Sequence, residues 1–475
     1  MTSYPELQLC IGGHWKSAAG EPLINPSDES EITVVPHATT ADLDAALAAA
    51  SEGFDVWRKT SPAKRCEIIL KAAQLLRERA DDIAYTLTLE QGKPLAQARL
   101  EVVRGCEIIE WDATEGRRVY GRVIPSEPGM RHTVLRQPIG VVAAFSPWNF
   151  PMSSPSRKVA GALSAGCSII LKASEETPGG AVHLVRAFHD AGVPPGVLNL
   201  VFGVPSEISE YLIPKPEVRL ITFTGSIPVG KHLASLCGQH MKPAIMELGG
   251  HAPVIVCDDA DPTASAEMGA LVKSRNSGQV CVSPTRFFVQ EKIYKEFTDA
   301  FVKKAASIKV GDGLDPETQM GPVANHRRLE AMEMFVADAT SKGAKLLTGG
   351  SRIGNRGYHY PVTVLAELPP EARAMVEEPF GPLALINPVK TVDEAIERAN
   401  ELPFGLAAYA FTRSAKNVEL LSEGVEAGNL SINNLVASIA ETPFGGVKDS
   451  GYGREGGVEG LECYTVVKNI SHKIE

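Results

Sequence analysis

The sequence predicts an α/β protein made of two sheet-and-helix units and a small β arm. Short, largely apolar runs at 139–145, 168–171, 197–202, 220–223 and 245–248 alternate with helix-like stretches such as 155–165 and 180–191. That is the pattern of a parallel sheet covered by helices on both faces. A second alternation follows Cys281: apolar runs at 286–289, 383–386, 407–412 and 430–433, with helical periodicity at 293–308 and 392–400. On this reading the cysteine opens the second unit. Two stretches fit neither: 120–136 reads as a hairpin turning at Glu127-Pro128-Gly129, and 464–471 alternates like a half-buried strand.

The elements follow in order. Strand-like pieces at 7–15 and 32–35 precede an Ala-rich amphipathic helix opening at Thr40. Ser61-Pro62 supplies an N-cap and a first helical residue for the next helix. Apolar residues keep helical spacing through 64–80 and 81–91 until Gly92-Lys93-Pro94 interrupts them. The first unit therefore takes 1–119 and 137–247, the second 248–430, and the arm 120–136 with 455–475. Edge strands left over from two closed units need partners, so the arm is expected to pair with another subunit.

Bulk properties narrow the function. A chain of 475 residues exceeds what one core usually supports. A net charge of -10 offers no basic footprint, so neither nucleic acid nor an anionic membrane is expected as a partner. The opening MTSYPELQLC lacks the basic start and apolar core of a secretory leader, and no apolar run reaches the roughly 18 residues of a membrane span. The eight cysteines show no C-x-x-C spacing and no accompanying histidine cluster. No metal site or disulfide framework is suggested, and the expected compartment is the cytoplasm.

Ligands of parallel sheets sit at the carboxyl ends of the strands, so the loops there are the candidates for chemistry. Cys281 ends the polar, small-residue segment Asn276-Ser277-Gly278-Gln279-Val280. It is either a small buried hydrophobe or a thiol held at a pocket wall as a nucleophile. Glu247 stands alone among Ile, Met, Leu and Gly; it either points to solvent or is semi-buried with a raised pKa suited to a general base. Asn149, in Phe145-Ser146-Pro147-Trp148-Asn149-Phe150-Pro151, either belongs to a rigid aromatic loop or aims its amide at a developing oxyanion. Lys172 and Glu175 form a surface pair or hold a ribose diol. Gly225 and Ser226 precede a helix whose N-terminus could take a diphosphate, although the segment is not G-x-G-x-x-G. By composition alone, the segments around Glu378-Pro379-Phe380 and Pro443-Phe444 are loops.

Taken together and in this order, the segments PWNFP, LKASEETP, FTGSIPVG, MELGGHAPVIV, NSGQVCVSPTR, EEPFGPL and PFGGVKDSGYGREGG resemble the aldehyde dehydrogenase superfamily from Ile11 to the C-terminus. The resemblance implies a Rossmann-like NAD-binding domain, a catalytic domain and an oligomerisation arm, with a homodimer or homotetramer as the assembly. It implies Cys281 as nucleophile, Asn149 as oxyanion donor and Glu247 as the base that activates hydrolytic water. Lys172, Glu175, Gly225, Ser226, Trp148, Leu248, Glu378 and Phe380 match cofactor-binding positions. Glu175 would repel a 2′-phosphate, which favours NAD, with NADP possible because Ala173 replaces the usual proline.

Within the superfamily the chain resembles succinate-semialdehyde dehydrogenases. Arg157 and Arg275 match their carboxylate-binding arginines, with Ser438 and Phe444 as further pocket residues. The implied substrate is a short ω-oxo acid such as succinate semialdehyde. An aromatic or aliphatic aldehyde, or a silent binding protein that keeps the fold, are the alternatives. Ser283 stands where some members carry a second cysteine, so their disulfide switch is not expected here.

Overall fold

A computed structural model describes residues 3–474. Met1 and Thr2, which open the MTSYPELQLC stretch, and Glu475, the end of the arm segment, lie outside the described residues. The first unit is an eight-stranded sheet in the order His14–Lys16, Leu9–Ile11, Leu198–Val201, Ser168–Lys172, Val141–Phe145, Val218–Gly225, Ala244–Leu248, Gly451–Tyr452. Its five central strands are parallel. Val141–Phe145 is buried along its whole length, as a strand with helices on both faces must be. The chain steps from it to Ser168–Lys172 and Leu198–Val201, then returns to its other side at Val218–Gly225. That reversal is a topological switch point, and its carboxyl-end crevice is where open α/β sheets bind ligands.

Local signals explain the helices. Thr39 and Asp42 form a capping box at the start of Thr40–Trp57, and Ser61 accepts from the Lys64 N–H ahead of Pro62–Glu78. Ser153–Ala165 and Pro178–Ala191 stop at Gly166 and Gly192, with φ of 96° and 105°, the left-handed position that favours glycine. The long helix Leu95–Glu115 was not anticipated, although Ala98, Val102, Cys106, Ile109 and Ala113 are buried at helical spacing.

The second unit is a seven-stranded sheet in the order Lys345–Thr348, Thr363–Ala366, Leu383–Val389, Arg286–Gln290, Pro253–Val256, Ala407–Phe411, Asn429–Ile432. Only Lys345–Thr348 runs antiparallel. Cys281 therefore does not open this unit. Pro253–Val256 lies centrally in the sheet and is followed by helix Pro262–Ser274, and Cys281 sits in the connection to Arg286–Gln290. The run after Gly249-Gly250 is too short to separate by periodicity from the strand that ends at Leu248.

The arm is an antiparallel sheet of Thr465–Lys473, Met130–Pro138 and Arg122–Ile124. Its strands pair with each other, and the turn closes by the Met130 N–H donating to the Glu127 carbonyl at 3.0 Å. The sheet leaves Val123, Leu135, Val466 and Val467 exposed. The C-terminal arm strand starts at Thr465 rather than 455. Before it, Tyr464 is buried in the first unit's core, and Gly451–Tyr452 pairs with Ala244–Leu248 at that sheet's edge. Among the described residues no helix is long and apolar enough to cross a membrane.

Candidate active site

The connection carrying Cys281 is strained and heavily tied down. Asn276, Ser277 and Gly278 have φ of 49°, 54° and 69°, and left-handed backbone costs a residue with a side chain about 1–2 kcal/mol. Such geometry persists where the surroundings over-determine it. The Asn276 N–H donates to Gln97 Oε1 at 2.9 Å, and Ser277 Oγ donates to the Gly321 carbonyl at 2.8 Å. Gln279 Oε1 accepts from the Ala324 N–H at 2.8 Å. Gly278 is obligatory, because a Cβ there would collide with the Gly381 carbonyl. On the far side of the cysteine, Tyr409 O–H donates to the Val282 carbonyl at 2.6 Å. The loop thus presents a half-buried thiol on a rigid frame. Burial pushes that thiol up to about 12, with the Glu378 and Glu247 charges adding to the rise. It rests as a thiol and needs a base or a positive charge before it can attack.

Asn149 is buried, and its Nδ2 donates to the Gln279 carbonyl at 3.0 Å. An amide NH2 carries two hydrogens, so a second donor remains for a ligand oxygen. The backbone carbonyl of Asn149 accepts from Lys93 Nζ at 3.1 Å and from Asn276 Nδ2 at 2.9 Å. Lys93 is ion-paired with the buried Glu101, which also accepts from the Met152 N–H at 2.9 Å. This buried network locks the Asn149 loop against the Cys281 loop.

Glu247, on Ala244–Leu248, is buried, and neither carboxylate oxygen has a hydrogen-bond partner. A Cβ at Gly445 would stand 2.8 Å from its Oε1, so the glycine leaves the carboxyl room. Burial holds its pKa well above the usual carboxylate range, and Glu455 raises it further; Lys158 and Arg157 oppose. Beneath it, Lys158 Nζ donates to Glu455 Oε1 at 2.7 Å and to Thr222 Oγ1 at 3.0 Å, fully out of solvent. Breaking a buried pair strands the surviving charge at a cost of about 3–5 kcal/mol. Lys158→Ala is therefore expected to lower the midpoint of denaturant unfolding by that equivalent. Lys158→Met with Glu455→Leu should recover most of it. A near-silent single replacement would mean the pair is not buried as described.

Glu378, which lines the same cavity, accepts from the Gly250 N–H at 3.2 Å, and burial raises its pKa to about 8. A side chain on Gly249 would overlap its carboxylate. Phe380, at φ 46°, stands edge-on to Trp148 with ring centres 5.5 Å apart. Helix Ile227–Gln239 starts directly after Val218–Gly225, and Ser226 makes no side-chain capping bond, so the first amides of this helix face the switch point uncapped.

All the residues singled out from the sequence except Lys172 and Glu175 line one cavity of about 1160 Å³. Those two pair with each other, Nζ to Oε2 at 2.5 Å, at the end of Ser168–Lys172. The next residue, Glu176, accepts from Asn325 Nδ2 at 2.5 Å and pairs with Arg327, both of which line that cavity. The guanidiniums of Arg157 and Arg275 lie 5.3 Å from the Phe444 ring and 5.8 Å from the Phe150 ring. Sequence reading missed Arg104, Tyr409 and Glu455, which also line the cavity.

A thiol, a free amide donor and a buried carboxyl line one cavity, beside a switch point with open amides. Residues 15–470 match the Aldehyde dehydrogenase family. The chain is 46% identical over 465 residues to 4-(hydroxymethyl)benzenesulfonate dehydrogenase TsaD1 of Comamonas testosteroni, covering 97% of each. It is 38% identical to succinate-semialdehyde dehydrogenase [NADP(+)] GabD of Escherichia coli K12, covering 97% of this chain and 96% of that one. The crystal structure of succinate-semialdehyde dehydrogenase from Burkholderia pseudomallei superposes with a TM-score of 0.96 at 39% identity, covering 99% of this chain and 98% of that one. The chain belongs to the aldehyde dehydrogenase family.

Proposed function

We propose that this chain oxidises an aldehyde bearing an anionic tail, such as a short ω-oxo acid, to the carboxylic acid through a thioester on Cys281. The observation that carries the reading is the convergence of Cys281, Asn149 and Glu247 on one cavity that Arg157 and Arg275 also line. Cys281 gives its S–H proton to solvent water, its Sγ adds to the carbonyl carbon, and the oxygen becomes an oxyanion held by the free Asn149 Nδ2–H and the Cys281 N–H. Loss of hydride leaves the acyl group on sulfur. Glu247 takes a proton from water, which attacks the thioester and releases the acid and the thiol. An oxidised nicotinamide dinucleotide, once bound, would supply the hydride acceptor and a positive charge that favours the thiolate.

The chain's own residues fit that cofactor. The uncapped start of Ile227–Gln239 and Ser226 suit a diphosphate, the cradle of Gly249 and Glu378 suits a ribose, and Trp148, Leu248 and Phe380 line the same cavity. The Lys172–Glu175 pair suits the adenosine ribose hydroxyls and favours NAD over NADP, because the carboxylate would repel a 2′-phosphate. The apolar arm face suits pairing with a second copy in a cytoplasmic homodimer or homotetramer. A plain aromatic or aliphatic aldehyde is the competing substrate reading.

The test is turnover of succinate semialdehyde against benzaldehyde in Arg275→Ala and Arg157→Ala. A charge-assisted bond contributes about 1.5–3 kcal/mol. Each replacement should therefore lower kcat/KM for the anionic aldehyde by roughly ten- to 150-fold more than for benzaldehyde. Equal losses on both would leave the plain aldehyde reading.

A further inference from the structure

We propose that Arg104 is a third specificity-determining guanidinium of this cavity, and that it tunes the enzyme toward aldehydes whose tail is a sulfonate rather than a carboxylate. The inference rests on the anionic-tail reading above and goes beyond it. Arg104 projects from helix Leu95–Glu115, Arg157 from Ser153–Ala165, and Arg275 follows Pro262–Ser274, so three separate elements bring a guanidinium to one cavity. The arginine ion pairs formed among the described residues engage none of the three. Arg157 Nη1 is buried with no hydrogen-bond partner at all. Burial and then the neighbouring Arg104 charge hold the Arg275 guanidinium below its ordinary pKa, against the pull of Glu101. Like charges that share one cavity and make no direct ion pair gain most from an anion that brings its oxygens to them.

Geometry then decides which anion. A carboxylate is planar and offers two oxygens, which two guanidiniums can saturate. A sulfonate fans three equivalent oxygens around a tetrahedral sulfur, so donors arriving from three elements match it one to one. Glu107 lies one turn from Arg104 on the same helix and lines the same cavity, and no ion pair among the described residues joins the two. Its carboxylate weighs against a dianion such as a phosphonate, whereas a sulfonate carries a single charge at every physiological pH.

The experiment compares 4-formylbenzenesulfonate with 4-formylbenzoate, which share ring, reach and aldehyde. The ratio of their kcat/KM values is independent of the fraction of active enzyme, so partial misfolding of a variant cancels. The native enzyme should favour the sulfonate by about tenfold or more, the worth of one charge-assisted contact. Arg104→Gln should collapse that ratio toward one, and Arg104→Lys, which keeps charge but loses the fork, should fall between. Should a variant fail to fold, inhibition of benzaldehyde oxidation by benzenesulfonate and benzoate on the native enzyme gives the same reading, with the sulfonate expected tighter. A native preference for the carboxylate, or a ratio untouched by Arg104→Gln, overturns the proposal. The anionic-tail reading fails separately. It falls if Arg157→Ala and Arg275→Ala leave the ratio of either anion to benzaldehyde unmoved.

Discussion

Cys281→Ser is expected to remove aldehyde oxidation almost entirely, with kcat falling by three orders of magnitude or more; removing the nucleophile of a covalent enzyme can cost on the order of 10⁶. The replacement is nearly isosteric. The bonds that shape the loop run through Asn276, Ser277, Gln279 and Tyr409 rather than through Sγ, so the frame should survive. What is lost is the nucleophile, since a hydroxyl ionises far less readily than even this burdened thiol. The raised thiol gives a second readout. With its pKa near 12 in the free protein, alkylation by iodoacetamide should be slow at neutral pH. It should quicken about tenfold per pH unit up to that value and speed up when oxidised dinucleotide is added. Mass spectrometry should find the label at position 281 well ahead of the six buried cysteines. A serine enzyme as fast as the native one would end the covalent account.

The sequence carried the first sheet well, because fully buried parallel strands are written as unbroken apolar runs such as Val141–Phe145 and Ser168–Lys172. Its limits have physical causes. The arm strands were seen, but whether edge strands pair with each other or with a neighbour is a matter of spatial proximity that alternation does not encode. The site's supporting charges were invisible for the same reason. Lys158 and Glu455 are 297 residues apart in the chain, and each alone reads as a surface charge. Lys273 looks like a solvated helix residue, yet its Nζ is buried and donates to Ser283 Oγ at 3.0 Å and Thr285 Oγ1 at 2.9 Å. Arg104 sits in a helix whose periodicity was present but unread. Cys281, Glu247 and Asn149 were singled out through ordered motifs, and their local context left two readings open for each.

Glu247→Gln should separate the two halves of the reaction. Glutamine fills the same volume and opens no cavity, so the burial that surrounds the side chain is kept. The amide cannot take a proton from water. Acylation of Cys281 does not need that step, whereas hydrolysis does. Rapid mixing with aldehyde and dinucleotide should therefore give a burst of reduced cofactor close to one per active site. The steady rate after it should be depressed by about 10²–10⁴-fold, the usual worth of a positioned general base. Hydroxylamine, a nucleophile that needs no base, should restore turnover. The pH profile fixes the sign. A carboxyl whose pKa is held well above the ordinary range is protonated and idle at low pH, and becomes a base as pH rises. Native kcat should rise with pH and fall as pH drops, over a range above that of an ordinary carboxylate. The glutamine variant should lose that dependence. Its residual rate should rise only where hydroxide itself begins to attack. If the burst vanished along with the steady rate, Glu247 would instead be acting before the acyl-enzyme forms, as the base that deprotonates Cys281. The raised thiol makes that a physical alternative that this experiment decides.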